Sequence, residues 1–334
     1  MTEVPGGAAL PHQSASTSAA TGVAELGLLV GPGATSGAGV SARSPWRLSA
    51  ERLRRDRMAM ITGGIIVLIV ALAVAAPLVS LLVGHPPDMQ YRDIGLTPDG
   101  LPKPPNRTFW LGTDDLGRDL MVRIAYGARI SLMVSVVSTA ATVLLGTLVG
   151  IAAGYYGGVV DTILSWLIDL VLSFPFLLLV IALVSITGPS PTLLVGVIAL
   201  FGWSSVARVV RGQTLSLRRR EFVEAALSIG ASDLRIMALD ILPNVLAPII
   251  VYTSLLIPSF VVLESTLSFL GLGVPPPAPT WGGMLSDSVA YYRQAWWYVV
   301  FPGLALLTTT LAFNLLGDSI RDAFDPQADR LGRR

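Results

Sequence analysis

The sequence predicts an all-α integral membrane protein of six transmembrane helices with both termini in the cytoplasm. Three observations carry that reading. Of 334 residues, 52% are hydrophobic and 13% charged, with a mean hydropathy of +0.66; a water-soluble domain carries roughly a quarter of charged residues. Six apolar runs, at 61–83, 130–154, 162–187, 191–212, 242–266 and 296–317, are each long enough to cross roughly 30 Å of hydrocarbon as a helix. Arginines then orient the runs, since cytoplasmic loops accumulate positive charge. Arg43, Arg47, Arg52, Arg54, Arg55 and Arg57 precede the first run, and Arg208, Arg211, Arg218, Arg219, Arg220 and Arg235 cluster from the end of the fourth run to the start of the fifth. Arg321, Arg330, Arg333 and Arg334 follow the sixth, so 16 of the 23 basic residues fall on the side that holds both ends.

Composition also excludes chemistry. With no cysteine there is neither a disulfide framework nor a thiolate metal site. His12 and His85 lie far apart, which argues against a histidine metal or acid–base centre. The one lysine, Lys103, precedes a proline, so no Gly-Lys-Ser/Thr phosphate loop exists. No HExxH, GxSG or GxGD string appears, and Asp161 and Asp169 would stand about 80° apart on an ideal helix, poorly placed as a facing dyad. The expectation is a non-enzyme with no catalytic residues, no metal and no nucleic-acid partner.

Along the chain, residues 1–43 are rich in Ala, Ser, Gly and Thr, a composition that cannot offset its ordering entropy and predicts a disordered tail. It lacks the basic start and apolar block of a signal peptide. A basic cytoplasmic helix at 44–60, "SPWRLSAERLRRDRMAM" with Trp46 near its start, leads into the first span at 61–83. Residues 84–128 form an extracytoplasmic loop in which Thr113 can cap a helix and Asp119 can pair with Arg123 at i,i+4. The membrane core occupies 129–320, with a cytoplasmic loop at 214–243 and a cytoplasmic tail at 321–334. Gly146, Gly150 and Gly154 have the small-xxx-small spacing of close helix packing. Asp161 falls at an interface. Asp169 lies two turns deeper, where an ionised group needs a partner or water; pairing with another helix and lining a translocation path are both open to it. Pro175 predicts a kink, and Pro248 and Pro258 predict bends. Glu264 reads as an interface residue near the outer end of the fifth span, with a gate as the alternative. Trp281, Trp296, Trp297, Tyr291 and Tyr292 read as an interfacial aromatic belt.

One stretch does not fit a plain membrane bundle. "EFVEAALSIGASDLRIMALDILPN" (221–244) has the turn chemistry of a soluble helical hairpin. Residues 221–229 suit a short helix, Gly230 suits its left-handed end, and Ser232 offers an N-cap for a second helix. Pro243 marks the join to the fifth span, because it lacks a backbone donor. Such a hairpin can pass a push from a soluble partner into the bilayer.

"EAALSIG", nine residues and "DILPN" together resemble the EAA loop of permease subunits of binding-protein-dependent ABC importers. Glu224, Ala225, Ala226, Gly230, Leu242 and Pro243 match the pattern. Asp240 departs from it, since the peptide branch commonly has histidine there. Four more stretches resemble the second permease subunit of dipeptide/oligopeptide importers, a branch that includes nickel and glutathione systems: the basic segment before the first span, "LGTDDLGRDLMVRIAYGARISL" (111–132), "STLSFLGLGVPPPAPTWGGMLSD" (265–287) and "GDSIRDAFDP" (317–326). The resemblance covers roughly residues 44–326. It implies the type I ABC importer permease fold in a bacterial plasma membrane. It also implies a second permease subunit, two ABC ATPase subunits that carry ATP and Mg, and an extracytoplasmic substrate-binding protein. Glu221, Glu224, Ala225, Ala226, Gly230, Asp240, Leu242 and Pro243 would couple to the ATPase. Asp114, Gly117, Arg118, Asp119 and Arg129 form the external signature, and Asp169 and Glu264 are path or gate candidates. Peptide cargo, or nickel or glutathione, follows from the resemblance alone. A self-contained channel or secondary transporter gives no reason for the hairpin.

Overall fold

The computed structural model describes residues 45–324; the tail at 1–43, Arg330, Arg333 and Arg334 lie outside the described residues. Within that range the chain is helical, and its only ladder contacts are the isolated bridges Leu96–Pro102 and Thr113–Asp119. Five helices are long and apolar enough to cross a membrane, and a sixth span results if one sharply bent pair counts as one.

The basic segment forms α1 (Pro45–Arg55), and α2 (Arg57–Val74) starts afresh because the Asp56 carboxylate caps it, accepting from Met58 N–H at 2.9 Å. The first apolar run breaks again at Ala75, and α3 (Ala76–Val83) carries Pro77 in its first turn, where the missing N–H costs nothing. After a loop holding the one-turn α4 (Arg92–Gly95), α5 (Leu120–Tyr156) runs 37 residues.

The third apolar run behaves differently from its expected single kinked helix. Pro175 separates α6 (Gly158–Ser173) from α7 (Phe176–Thr187), and the two helices bend by 78°. Proline forces the preceding Phe174 out of the helical region, to ψ 134°. The α8 helix (Pro191–Leu217) is capped by Ser190, whose hydroxyl accepts from Leu193 N–H at 3.1 Å.

The most extensive helix pairing joins α5 to α8. The glycine spacing explains it. A methyl group at Gly146 would lie 2.5 Å from Val206 Cβ, at Gly150 2.7 Å from the Ala207 carbonyl, and at Gly154 2.6 Å from Thr214 Cβ. Any side chain there would force the backbones apart.

Beyond α8 come α9 (Glu221–Ser228), α10 (Asp233–Arg235), a π-helical turn at Ile236–Ile241 and α11 (Leu242–Phe269). The last two helices are α12 (Trp281–Ser288) and α13 (Trp296–Phe324).

Candidate functional site

The hairpin between α8 and α11 is built on one buried face. Val223, Ile236, Ile241 and Val245 are fully buried against Ile151, Tyr155, Val206 and Val210. Tyr155 adds a polar tie, its hydroxyl donating to Asp233 at 2.8 Å. Between the arms, Gly230 adopts φ +77° and Ala231 N–H closes back on the Ala226 carbonyl at 3.1 Å, the left-handed helix ending anticipated for that glycine. Ser232 has the extended conformation of an N-cap but its hydroxyl makes no capping bond.

Pro243 does not break the chain. The preceding turn widens to π geometry, with Leu242 N–H bonded to Met237 O, which accommodates a residue that cannot donate. Asn244 Nδ2 then donates to the Asp240 carbonyl at 2.6 Å. The second arm is therefore continuous with α11, and Asp233–Phe269 forms one 37-residue unit.

The outer face of the hairpin is left open. Glu221 and Glu224 lie exposed in the first turn of α9, beside exposed Ala225. Ile229, Leu234, Leu239 and Leu227 are 85%, 74%, 60% and 50% exposed. Ala226 and Leu242 are half-buried against the inner cluster, Asp240 is half-buried, and Pro243 is exposed. An acid-flanked apolar ridge, rooted in two long helices, has the form of a docking element.

The opposite cluster uses charge in the reverse way. Asp114 is fully buried; its carboxylate accepts from Leu116 N–H at 3.0 Å and Arg118 N–H at 2.8 Å. It also meets Arg118 Nε at 2.5 Å and Arg123 Nε at 3.1 Å. Burial pushes the Asp114 carboxyl above its ordinary value, against the pull of both guanidiniums. Gly117 turns at φ +78° within this loop.

Asp119, rather than Thr113, caps α5, accepting from Met121 and Val122 N–H at 2.9 and 3.3 Å. It pairs with His85 at 2.7 Å rather than with Arg123, because a capping carboxylate points back over the helix start. Arg123 instead reaches Asp88 at 3.6 Å and donates to the Pro87 and Pro277 carbonyls at 3.1 and 3.4 Å. Thr113 accepts from Lys103 N–H at 2.8 Å and donates to Gly95 O at 2.6 Å. Arg129 is exposed and stands outside this network.

The aromatic expectation divides. Trp296 and Tyr292 are exposed, whereas Trp281 and Trp297 are 1% and 5% exposed. Trp281 Nε1 donates to Ile124 O at 3.2 Å and Trp297 Nε1 to Thr113 O at 3.3 Å, so these two fasten loops to helices. Tyr298 donates to Asp115 at 3.0 Å.

Among the acids of the apolar runs, Glu264, near the end of α11, is fully buried, with Ser268 donating at 2.7 Å and Ser265 at 3.3 Å. Asp161 is bound by Arg211 through both of its oxygens. Asp169 pairs with Arg208 at 2.8 Å. The sequence signal for both pairs was available, two acids on one run and two arginines on the next, but nothing in it set the register.

Comparison with known proteins agrees with this architecture. The family described as "Binding-protein-dependent transport system inner membrane component" matches residues 146–330, and the "N-terminal TM domain of oligopeptide transport permease C" matches residues 44–105. A dipeptide transport system permease protein of Alkalihalophilus pseudofirmus is 39% identical over 86% of this chain and 91% of its own. A glutathione transport system permease protein of Pectobacterium atrosepticum is 40% identical over 86% and 93%. An oligopeptide transport system permease protein of Escherichia coli K12 is 41% identical over 86% and 93%. Among solved structures, the inward-facing methionine ABC transporter matches with a TM-score of 0.51 at 16% identity, over 61% of this chain and 97% of that one.

Proposed function

The chain belongs to the inner-membrane components of binding-protein-dependent transport systems, in their oligopeptide-permease-C branch, and from that premise we propose that it is the non-catalytic permease subunit of an ATP-driven peptide importer. The observation that carries the coupling role is the hairpin: Val223, Ile236 and Ile241 fix it to α5 and α8, while Glu224 and the exposed ridge of Leu227, Ile229 and Leu234 face away from the bundle. In this reading Glu221, Glu224, Ala225, Ala226 and Gly230 meet a groove on an ABC ATPase subunit. Asp240, Leu242 and Pro243 pass its motion into α11. Two such ATPases bind ATP and Mg, a second permease subunit completes the pathway, and an extracytoplasmic binding protein delivers cargo. Both termini are then cytoplasmic in a bacterial inner membrane, and the cluster of Asp114, Gly117, Arg118 and Asp119 faces the binding protein, with Arg129 nearby in sequence. Asp169 and Glu264, the latter buried beside Ser265 and Ser268 of α11, are the path or gate candidates in this reading.

Di- or oligopeptides are the proposed cargo, supported by the dipeptide and oligopeptide relatives. Glutathione is the second reading, supported by a relative of similar identity; it too is a short peptide. Purification of the tagged chain in mild detergent, followed by uptake measurements in proteoliposomes, tests this. A second permease and P-loop ATPases should co-purify, and uptake of a dipeptide should require ATP. Uptake by the chain alone, without ATP, would replace the importer with a self-contained transporter.

A further inference from the structure

The α6 helix carries a polar stripe that its surroundings do not explain. At 100° per residue, Asp161, Thr162, Ser165, Asp169 and Ser173 fall within an arc of about 120°, shared with one apolar side chain, Leu172. The remaining face is wholly apolar, and Ile163, Trp166 and Leu170 are exposed on it. Hydrocarbon suits that apolar face. It does not suit the stripe.

At the centre of the stripe, Asp169 and Arg208 keep 69% and 58% of their side-chain surface uncovered. Their contact is a single one, Arg208 Nη2 to Asp169 Oδ1 at 2.8 Å. The Asp161–Arg211 pair below uses both oxygens and is 19% and 31% exposed. Ionised groups facing lipid are expensive, and those that persist face water or protein. A carboxylate oxygen and guanidinium N–H groups therefore remain free, side by side, on the outer surface of α6 and α8.

We infer that the α6–α8 seam, from Thr162 to Ser173 with Arg208 and the half-buried Ser205 one turn before it, is a wall of the water-filled translocation path, and that the open Asp169–Arg208 pair receives zwitterionic cargo. An ammonium meets Asp169 and a carboxylate meets Arg208, which is the charge arrangement of a short peptide with free termini. This deepens the importer reading and rests on it.

The chain has no cysteine, so single cysteines report cleanly. Ser165→Cys, Ser205→Cys and the apolar-face control Ile163→Cys are to be assembled with the partner subunits in proteoliposomes and treated with a membrane-impermeant cationic methanethiosulfonate. Ser165→Cys and Ser205→Cys should react about tenfold or more faster than Ile163→Cys, because only a hydrated thiol ionises. Dialanine should slow that labelling, and its N-acetylated, C-amidated analogue should not. Asp169→Asn and Arg208→Gln should raise KM for dialanine uptake by about tenfold or more, the loss expected for one charged hydrogen bond, with the ATPases still co-purifying. Equal labelling of Ser165→Cys and Ile163→Cys, or equal protection by the blocked analogue, would overturn the inference. Failure of the importer reading would be distinguished by loss of ATPase co-purification in the wild-type chain, and the labelling contrast is read in either case.

Discussion

The two ends of this molecule put similar side chains to opposite uses. At the Asp114 end, acids and arginines are buried and interlocked: one carboxylate collects two guanidiniums and two backbone N–H groups, and Arg123 ties the start of α5 to loops at 87 and 277. At the hairpin end, charges stay in solvent and the apolar face does the holding. Buried charge fixes geometry because breaking one contact strands the others. Exposed charge costs little to move and is available to a partner. The first end is built as a rigid platform, the second as a handle.

That contrast can be broken from either side. The largest effect is expected at Asp114. Asp114→Ala leaves Arg118 and Arg123 buried without their shared counter-charge, and should cost about 3–5 kcal/mol, read as a large fall in thermal midpoint in detergent. Next is the buried face of the hairpin, where Ile236→Ala removes a fully buried side chain and should cost about 2–5 kcal/mol; protease sensitivity confined to 221–243 would place the damage. Gly230→Val is milder. No atom lies within 4 Å of the added Cβ, so the penalty is the left-handed backbone alone, about 1–2 kcal/mol.

The smallest effect concerns pH. Asp287, on α12, has its carboxyl raised above 3.8 by burial and by the nearby Asp115. A raised acid binds its proton more tightly in the folded chain than in the unfolded one. It therefore adds stability at low pH, and that share is lost as pH rises from about the ordinary carboxylate value through the raised one. Thermal midpoints recorded across that window should fall slightly for the wild-type chain, and Asp287→Asn should flatten this contribution.

Much of this was legible in the sequence. Hydropathy located the apolar helices, and the spacing of Gly146, Gly150 and Gly154 anticipated the α5–α8 contact, because both depend on local composition and period. Gly230 was legible for the same reason. Pairings across distance were not. Asp119 and Arg123 are well spaced for one another, yet each has a better partner brought by another segment, His85 for the first and Asp114 for the second. Trp281 and Trp297 carry the composition of a membrane belt, but indole N–H groups serve equally to bind a buried carbonyl. Pro175 marked a disturbance without revealing a 78° turn, and Pro243 marked a join without revealing the π turn that absorbs it. A proline states which bond is missing, and the neighbours decide how the loss is accommodated.

The most direct test of the central claim is ATPase retention by Glu224→Lys. Its exposed position predicts a stability within about 0.5 kcal/mol of wild type, so folding and coupling separate in one variant. The account predicts an unchanged thermal midpoint together with loss of the co-purifying ATPases and of ATP-driven uptake. Full retention of both, in a variant that carries lysine on the outer face of the hairpin, would contradict it.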